Sequence, residues 1–263
     1  MHGFPDSSKL WERQVPSLVE AGWRVVAPDL RGFGKSSRPR EEAAYRLSEM
    51  QADVVAILDA LGVHEFDLVG HDWGSALAWR MAGALPHRVR RLVAVSVGHP
   101  GAAWGAGGSA QRARSWYFLF FQYRGAAETL LAASNFKLFR DFLGDGCPQA
   151  QADRYISELS QPGALTAGLN YYRANFQLER FAATEPARSM APIRCPVLGI
   201  WGSKDFGVLE KQMTASTEYV PAHMWRYARI EGAGHWVPYD APDELNRLLL
   251  GFLSQPMHPV SRL

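Results

Sequence analysis

Three short stretches of this sequence carry side chains that could do chemistry together. In Gly70-His71-Asp72-Trp73-Gly74 a carboxylate stands at the centre of a glycine-flanked turn. This is the pattern of a nucleophile elbow, in which a tight strand-to-helix turn lifts the central side chain above a sheet. Asp205 follows in Gly202-Ser203-Lys204-Asp205-Phe206, and His235 in Gly232-Ala233-Gly234-His235-Trp236, so the chain order is nucleophile, acid, histidine. A carboxylate with a reference pKa of ~3.9 is ionised at neutral pH and attacks carbon without a base. The histidine, oriented by the second carboxylate, is then free to activate water. Each piece alone has a plainer reading: an ordinary turn around Asp72, a turn aspartate at 205, a structural histidine at 235. Most of the 8 histidines are expected to be bystanders. His235 differs from them in its flanking glycines and its place after a strand.

These side chains meet only if strand ends deliver them. Trp23–Ala27, ended by Pro28, reads as a strand, as do Phe66–Val69 and Leu92–Val97, each followed by a glycine. Between them, Ser48 and Gln51 have capping-box spacing, and Met50, Val54, Ile57, Leu58 and Leu61 recur at helical intervals. A second helix is expected from about Gly74 to Leu85. Strands alternating with helices predict an α/β fold, a mostly parallel sheet covered on both faces. From Gly98 the pattern breaks into a glycine-rich stretch, the aromatic run Trp116–Tyr123 and several helical segments, which read as an inserted helical cap. Pro186, Pro192 and Pro196 mark its exit. Val197–Trp201 and Trp225–Ile230 then resume the strand pattern, and a last helix starts at Pro242 with Leu245, Leu248, Leu249 and Phe252 on one face. The expected division is core 1–98, cap 99–191, and core with tail 192–263.

Composition removes whole classes of function. The 263 residues are 47% hydrophobic and 21% charged, outside the range of disordered chains. A net charge of +2 with no basic stripe gives no reason to expect nucleic acid as a partner. Cys147 and Cys195 lack metal-site or redox spacing and are expected as free thiols in a reducing compartment. No apolar run is long enough for a membrane span, and no cofactor or metal site is expected.

Taken together, His2-Gly3-Phe4-Pro5, Arg31-Gly32-Phe33-Gly34-Lys35-Ser36, Gly70–Gly74, Lys204-Asp205-Phe206 and Gly234-His235-Trp236 resemble the epoxide hydrolase family of α/β-hydrolases along the whole chain. The resemblance implies an aspartate nucleophile at Asp72, a base at His235 and its carboxylate partner at Asp205. It also implies an oxyanion hole from the main-chain N–H groups of Phe4 and Trp73. An epoxide oxygen leaves as an alkoxide and needs an acid. The family's two cap tyrosines map onto Tyr117 and Tyr172, with Tyr123 and Tyr171 as rivals by proximity.

The expected activity is hydrolysis of an apolar epoxide to a vicinal diol. The alternative is a haloalkane dehalogenase with the same nucleophile, although dehalogenases similar to this chain usually have Asn where Phe4 stands. Fluoroacetate-type enzymes usually have Arg where Trp73 stands. A non-enzymatic, truncated binding remnant is the third reading. In the family HGFP follows a strand lying between those ending at Ala27 and Val69, and neither it nor the two strands before it are found here. The expectation is therefore of an incomplete chain or gene model, or of one that folds poorly as written. Ser261-Arg262-Leu263 is a variant of the peroxisomal tripeptide address, so cytoplasmic or peroxisomal residence is expected.

Overall fold

The computed structural model describes residues 1–144, 146–182 and 191–256. Pro186 and the Ser261–Leu263 tripeptide lie outside them. Two helices, α1 (Val15–Glu20) and α2 (Leu47–Ala60), precede strand β1 (Phe66–His71). Helix α3 (Trp73–Ala84) leads to β2 (Val89–Val95). Then come α4 (Ala103–Arg114), α5 (Tyr117–Phe120), α6 (Ala126–Leu143), α7 (Gln149–Leu159), α8 (Ala164–Asn175) and α9 (Leu178–Ala182). The chain returns through β3 (Val197–Gly202), α10 (Glu210–Thr214) and β4 (Trp225–Ile230), and ends in α11 (Val237–Asp240) and α12 (Pro242–Leu253).

Among the described residues the sheet has four strands in the order β1-β2-β3-β4, all parallel. β3 is buried along its whole length and β2 nearly so, which accounts for the unbroken apolar runs in their sequences. Leu77, Ala78, Trp79 and Met81 of α3 pack against the sheet with almost no exposure. Because all strands run the same way, the loops that follow them open at one edge, and Asp72, Ser96, Asp205 and His235 all lie in such loops.

Three local expectations are corrected. The segment Trp23–Ala27 joins no ladder. A groove of about 310 Å³, lined by Trp23, Val25, Leu58, Leu68, Leu249 and Leu253 among others, separates it from β1. The segment's Trp23 N–H bonds Leu18 O of α1 at 3.0 Å, and without ladder bonds to a neighbouring strand an extended segment is not a strand. On the groove side, among the described residues, β1 bonds the main chain of Met1 alone, whose amino group donates to Val69 O at 2.6 Å and whose carbonyl accepts from His71 N at 3.0 Å. The second correction concerns the start of α2, where Ser48 lies inside the helix and caps nothing. The first-turn Leu47 N–H is satisfied instead by Asn175 Oδ1 of α8 at 2.9 Å, a tertiary cap no local spacing could reveal. Finally, β2 begins before its apolar run, because Arg90 and Arg91 are paired with Asp67 of β1 at 2.7 and 3.4 Å.

Candidate active site

The turn after β1 is held in a conformation that ordinary side chains resist. Asp72 has φ 54° and ψ −122°, a cost the surrounding packing must over-determine. Small residues make that possible. A Cβ on Gly70 would sit 2.3 Å from Gly74 O, and one on Gly74 2.3 Å from Met1 O. The second turn, His2–Asp6, crosses directly over the first, with Gly3 lacking the Cβ that would strike Asp72 Oδ1 at 2.1 Å. That close approach lets Phe4 N–H donate to Asp72 Oδ1 at 2.8 Å.

Asp205 follows β3 and His235 follows β4. Asp205 Oδ2 receives His235 Nδ1 at 2.9 Å, while its Oδ1 accepts from Gly207 N at 2.8 Å and Val208 N at 2.9 Å. Those bonds fix both the carboxylate and the ring it orients. The other ring nitrogen, His235 Nε2, points to Asp72 Oδ2 at 3.7 Å. Burial disfavours a charged imidazole, but Asp205 and Asp72 outweigh it and push His235 up to about 10. Burial likewise works against the Asp72 carboxylate, yet His235 and the N–H of Trp73 hold it below the usual carboxylate range. The arrangement thus sets an imidazole between two carboxylates, surroundings that favour its protonated form.

An aromatic shell closes over Asp72. Tyr117 and Tyr172 have ring centroids 5.7 Å apart, and Tyr172 packs edge-on to Trp73 at 5.1 Å and to Phe4 at 5.6 Å. Burial, and after it the charge of Asp72, raises the pKa of both hydroxyls well above the usual phenol range, so both keep their protons. The two rival tyrosines lie elsewhere. Tyr171 O–H donates to Arg31 O at 2.7 Å, and Tyr123 is 68% exposed. All seven residues singled out in the sequence, Phe4, Asp72, Trp73, Tyr117, Tyr172, Asp205 and His235, are therefore gathered in one place.

Two others were missed. His71, adjoining Asp72, places Nε2 2.8 Å from His235 O, and Ser96 Oγ donates to the same oxygen at 2.7 Å. Their only sequence signal is position, at the carboxyl ends of β1 and β2. No group of three or more His, Cys, Asp or Glu among the described residues is arranged to hold a metal ion.

Comparison with known proteins gives this architecture a family. The α/β hydrolase fold family matches residues 1–242. The chain belongs to that family. This hydrolase is 33% identical to epoxide hydrolase A of Mycobacterium tuberculosis, over 96% of its own length and 88% of the relative's. It is 30% identical to mouse epoxide hydrolase 4 over 97% of its length and 72% of that protein's. Among solved structures, an epoxide hydrolase from Bacillus megaterium superposes with a TM-score of 0.84 at 26% identity, covering 97% of this hydrolase and 92% of the other chain. No helix among its described residues is long and apolar enough to cross a membrane.

Proposed function

We propose that this hydrolase opens an apolar epoxide and releases a vicinal diol, through an ester on Asp72. The observation that carries the reading is the Asp72 carboxylate on its elbow, with one oxygen anchored by Phe4 N–H and the proton-bearing pair Tyr117 and Tyr172 packed beside it. With Oδ1 anchored, Oδ2 attacks an epoxide carbon. The carbon–oxygen bond breaks, and the alkoxide takes a proton from Tyr117 or Tyr172. A dehalogenase would have no use for paired acids, since a halide leaves without a proton. An aromatic shell also suits an apolar substrate.

Ester formation removes the negative charge of Asp72, and with it part of what keeps His235 protonated. The imidazolium proton restores the tyrosine, leaving a neutral imidazole still oriented by Asp205. His235 then takes a proton from water, whose oxygen attacks the Asp72 carbonyl carbon. The oxyanion forms on the oxygen already held by Phe4 N–H, joined by Trp73 N–H. Its collapse expels the diol oxygen, which receives the proton from His235, and the carboxylic acid left at Asp72 then gives its remaining proton to His235, restoring the starting pair. The helices α4–α9 act in this reading as a cap supplying the acids.

The test is a single turnover of styrene oxide in heavy-oxygen water. The label is expected in Asp72 after the first turnover rather than in the diol. Diol formation by Asp72→Ala at the wild-type rate would reject the reading. Halide release from haloalkanes with no turnover of any aryl or alkyl epoxide would move it to dehalogenation.

A further inference from the structure

We infer that His71 and Ser96 position the general base by holding the main-chain carbonyl of His235, an inference that rests on the role proposed above for His235. The carbonyl oxygen lies 2.8 Å from His71 Nε2 and 2.7 Å from Ser96 Oγ. Both donors come from the sheet edge: His71 is the last residue of β1, and Ser96 follows the end of β2 with φ 66°. The loop carrying His235 forms no ladder of its own. Its ring is held at Nδ1 by Asp205 and faces Asp72 Oδ2 at Nε2, 3.7 Å away, so the place of Nε2 depends on where the loop backbone sets the Cα of His235. Anchoring the carbonyl to two strand ends fixes that backbone and with it the place of Nε2.

The state of His71 follows from its surroundings. Its ring is almost wholly buried, and Nδ1 has no hydrogen-bonding partner among the described residues. With Nε2 facing a carbonyl, the proton belongs on Nε2, which donates. Burial, reinforced by the neighbouring His235 charge, lowers its pKa to about 4, so the ring stays neutral. Neutrality matters because the two imidazole centroids are only 4.9 Å apart, and a second cation there would repel the protonated base.

The two chemical steps separate positioning from a general structural role. His235 is not needed as a base while Asp72 attacks, so loss of the anchor should slow ester hydrolysis and leave ester formation alone. Asparagine at position 71 carries its amide near the place of Nδ1 and leaves that of Nε2 empty, whereas glutamine reaches the place of Nε2.

The experiment follows the Asp72 ester by intact mass and diol by rapid quench with styrene oxide, in wild type, His71→Asn, His71→Gln and His235→Gln. In His71→Asn, ester formation is expected within about twofold of wild type and hydrolysis slowed about 10- to 100-fold, the scale of a ~1 Å misplacement. His71→Gln should recover most of that loss. If His235→Gln accumulates ester but His71→Asn hydrolyses it normally, slows both steps alike, or is not rescued by glutamine, the inference fails alone. If His235→Gln hydrolyses its ester at the wild-type rate, the role of His235 fails and the inference with it. Should His71→Asn lose the ester burst through misfolding, Ser96→Ala removes the other donor and is judged by the same split.

Discussion

At the scale of single residues, the two tyrosines beside Asp72 are where adjacent positions had to be told apart. Neighbours on a helix point about 100° apart, so Tyr171 and Tyr172 cannot both face the nucleophile. Tyr171 turns to the Arg31 carbonyl, while Tyr172 joins Tyr117, Trp73 and Phe4. Nothing local in the sequence distinguishes them, because the choice is made by what α8 packs against. If both hydroxyls serve as acids, Tyr117→Phe and Tyr172→Phe should each slow ester formation by about tenfold. The double variant should lose on the order of 10²- to 10⁴-fold, the usual span for general acid catalysis. Ester hydrolysis, measured separately, should stay near wild type. A double variant that opens styrene oxide at full rate would show that the pair is only packing. Their raised pKa values set the sign of the pH effect: loss of ring opening from tyrosine ionisation belongs above pH 10, not below it.

Elements were readable wherever a single repeating pattern decided them. The parallel strands after Pro196 and Met224 and the amphipathic α12 follow directly from runs and periodicity. Trp23–Ala27 and the Ser48 cap fail for the same reason: each depends on a partner distant in sequence. A third long-range tie joins α7 to the turn that carries Phe4. Tyr155 O–H donates to Asp6 Oδ2 at 2.7 Å, Arg154 Nη2 lies 3.3 Å from Asp6 Oδ1, and Tyr239 hydrogen-bonds Arg154. Asp6 N in turn closes the turn on Gly3 O at 2.9 Å. Tyr155→Phe leaves a buried carboxylate oxygen without that donor, so it should cost about 1–3 kcal/mol. Tyr123→Phe, on an exposed side chain, should change stability by less than about 0.5 kcal/mol. Urea unfolding checks this: the Tyr155→Phe midpoint should fall with an unchanged slope, and equal midpoints for the two variants would deny the tie.

The molecule as a whole buries more imidazole than its sequence discloses, since burial is a property of the finished fold. His2, His71 and His99 are all fully enclosed. The role of His2 shows why neutrality is required: its Nε2 accepts from Leu30 N at 2.9 Å, which leaves Nδ1 to donate to Gly3 O at 3.0 Å. Burial lowers each of the three from 6.5 to about 4. Between those values the unfolded chain binds protons that the folded chain refuses, so their contribution is full above 6.5 and is lost as pH falls toward 4. Asp6 opposes them, because burial raises it from 3.8 to about 6 and the folded state holds that proton longer. Three protons against one leave about two. Two protons correspond to a stability that rises by at most about 3 kcal/mol per pH unit near pH 5. On the alkaline side His235 has the reverse sign: its folded value of about 10 makes its contribution full below 6.5 and lost as pH climbs toward 10. The buried Met1 amino group, lowered from 8.0 to about 5, has the same sign as the three histidines and offsets His235 between pH 6.5 and 8, so stability should be highest across that range and decline on both sides of it. In a series of urea titrations across pH, His99→Asn should reduce the acid slope by about one proton, and His235→Gln should flatten the alkaline limb. An acid slope unchanged in His99→Asn would mean that the ring is charged, or already exposed, in the folded protein.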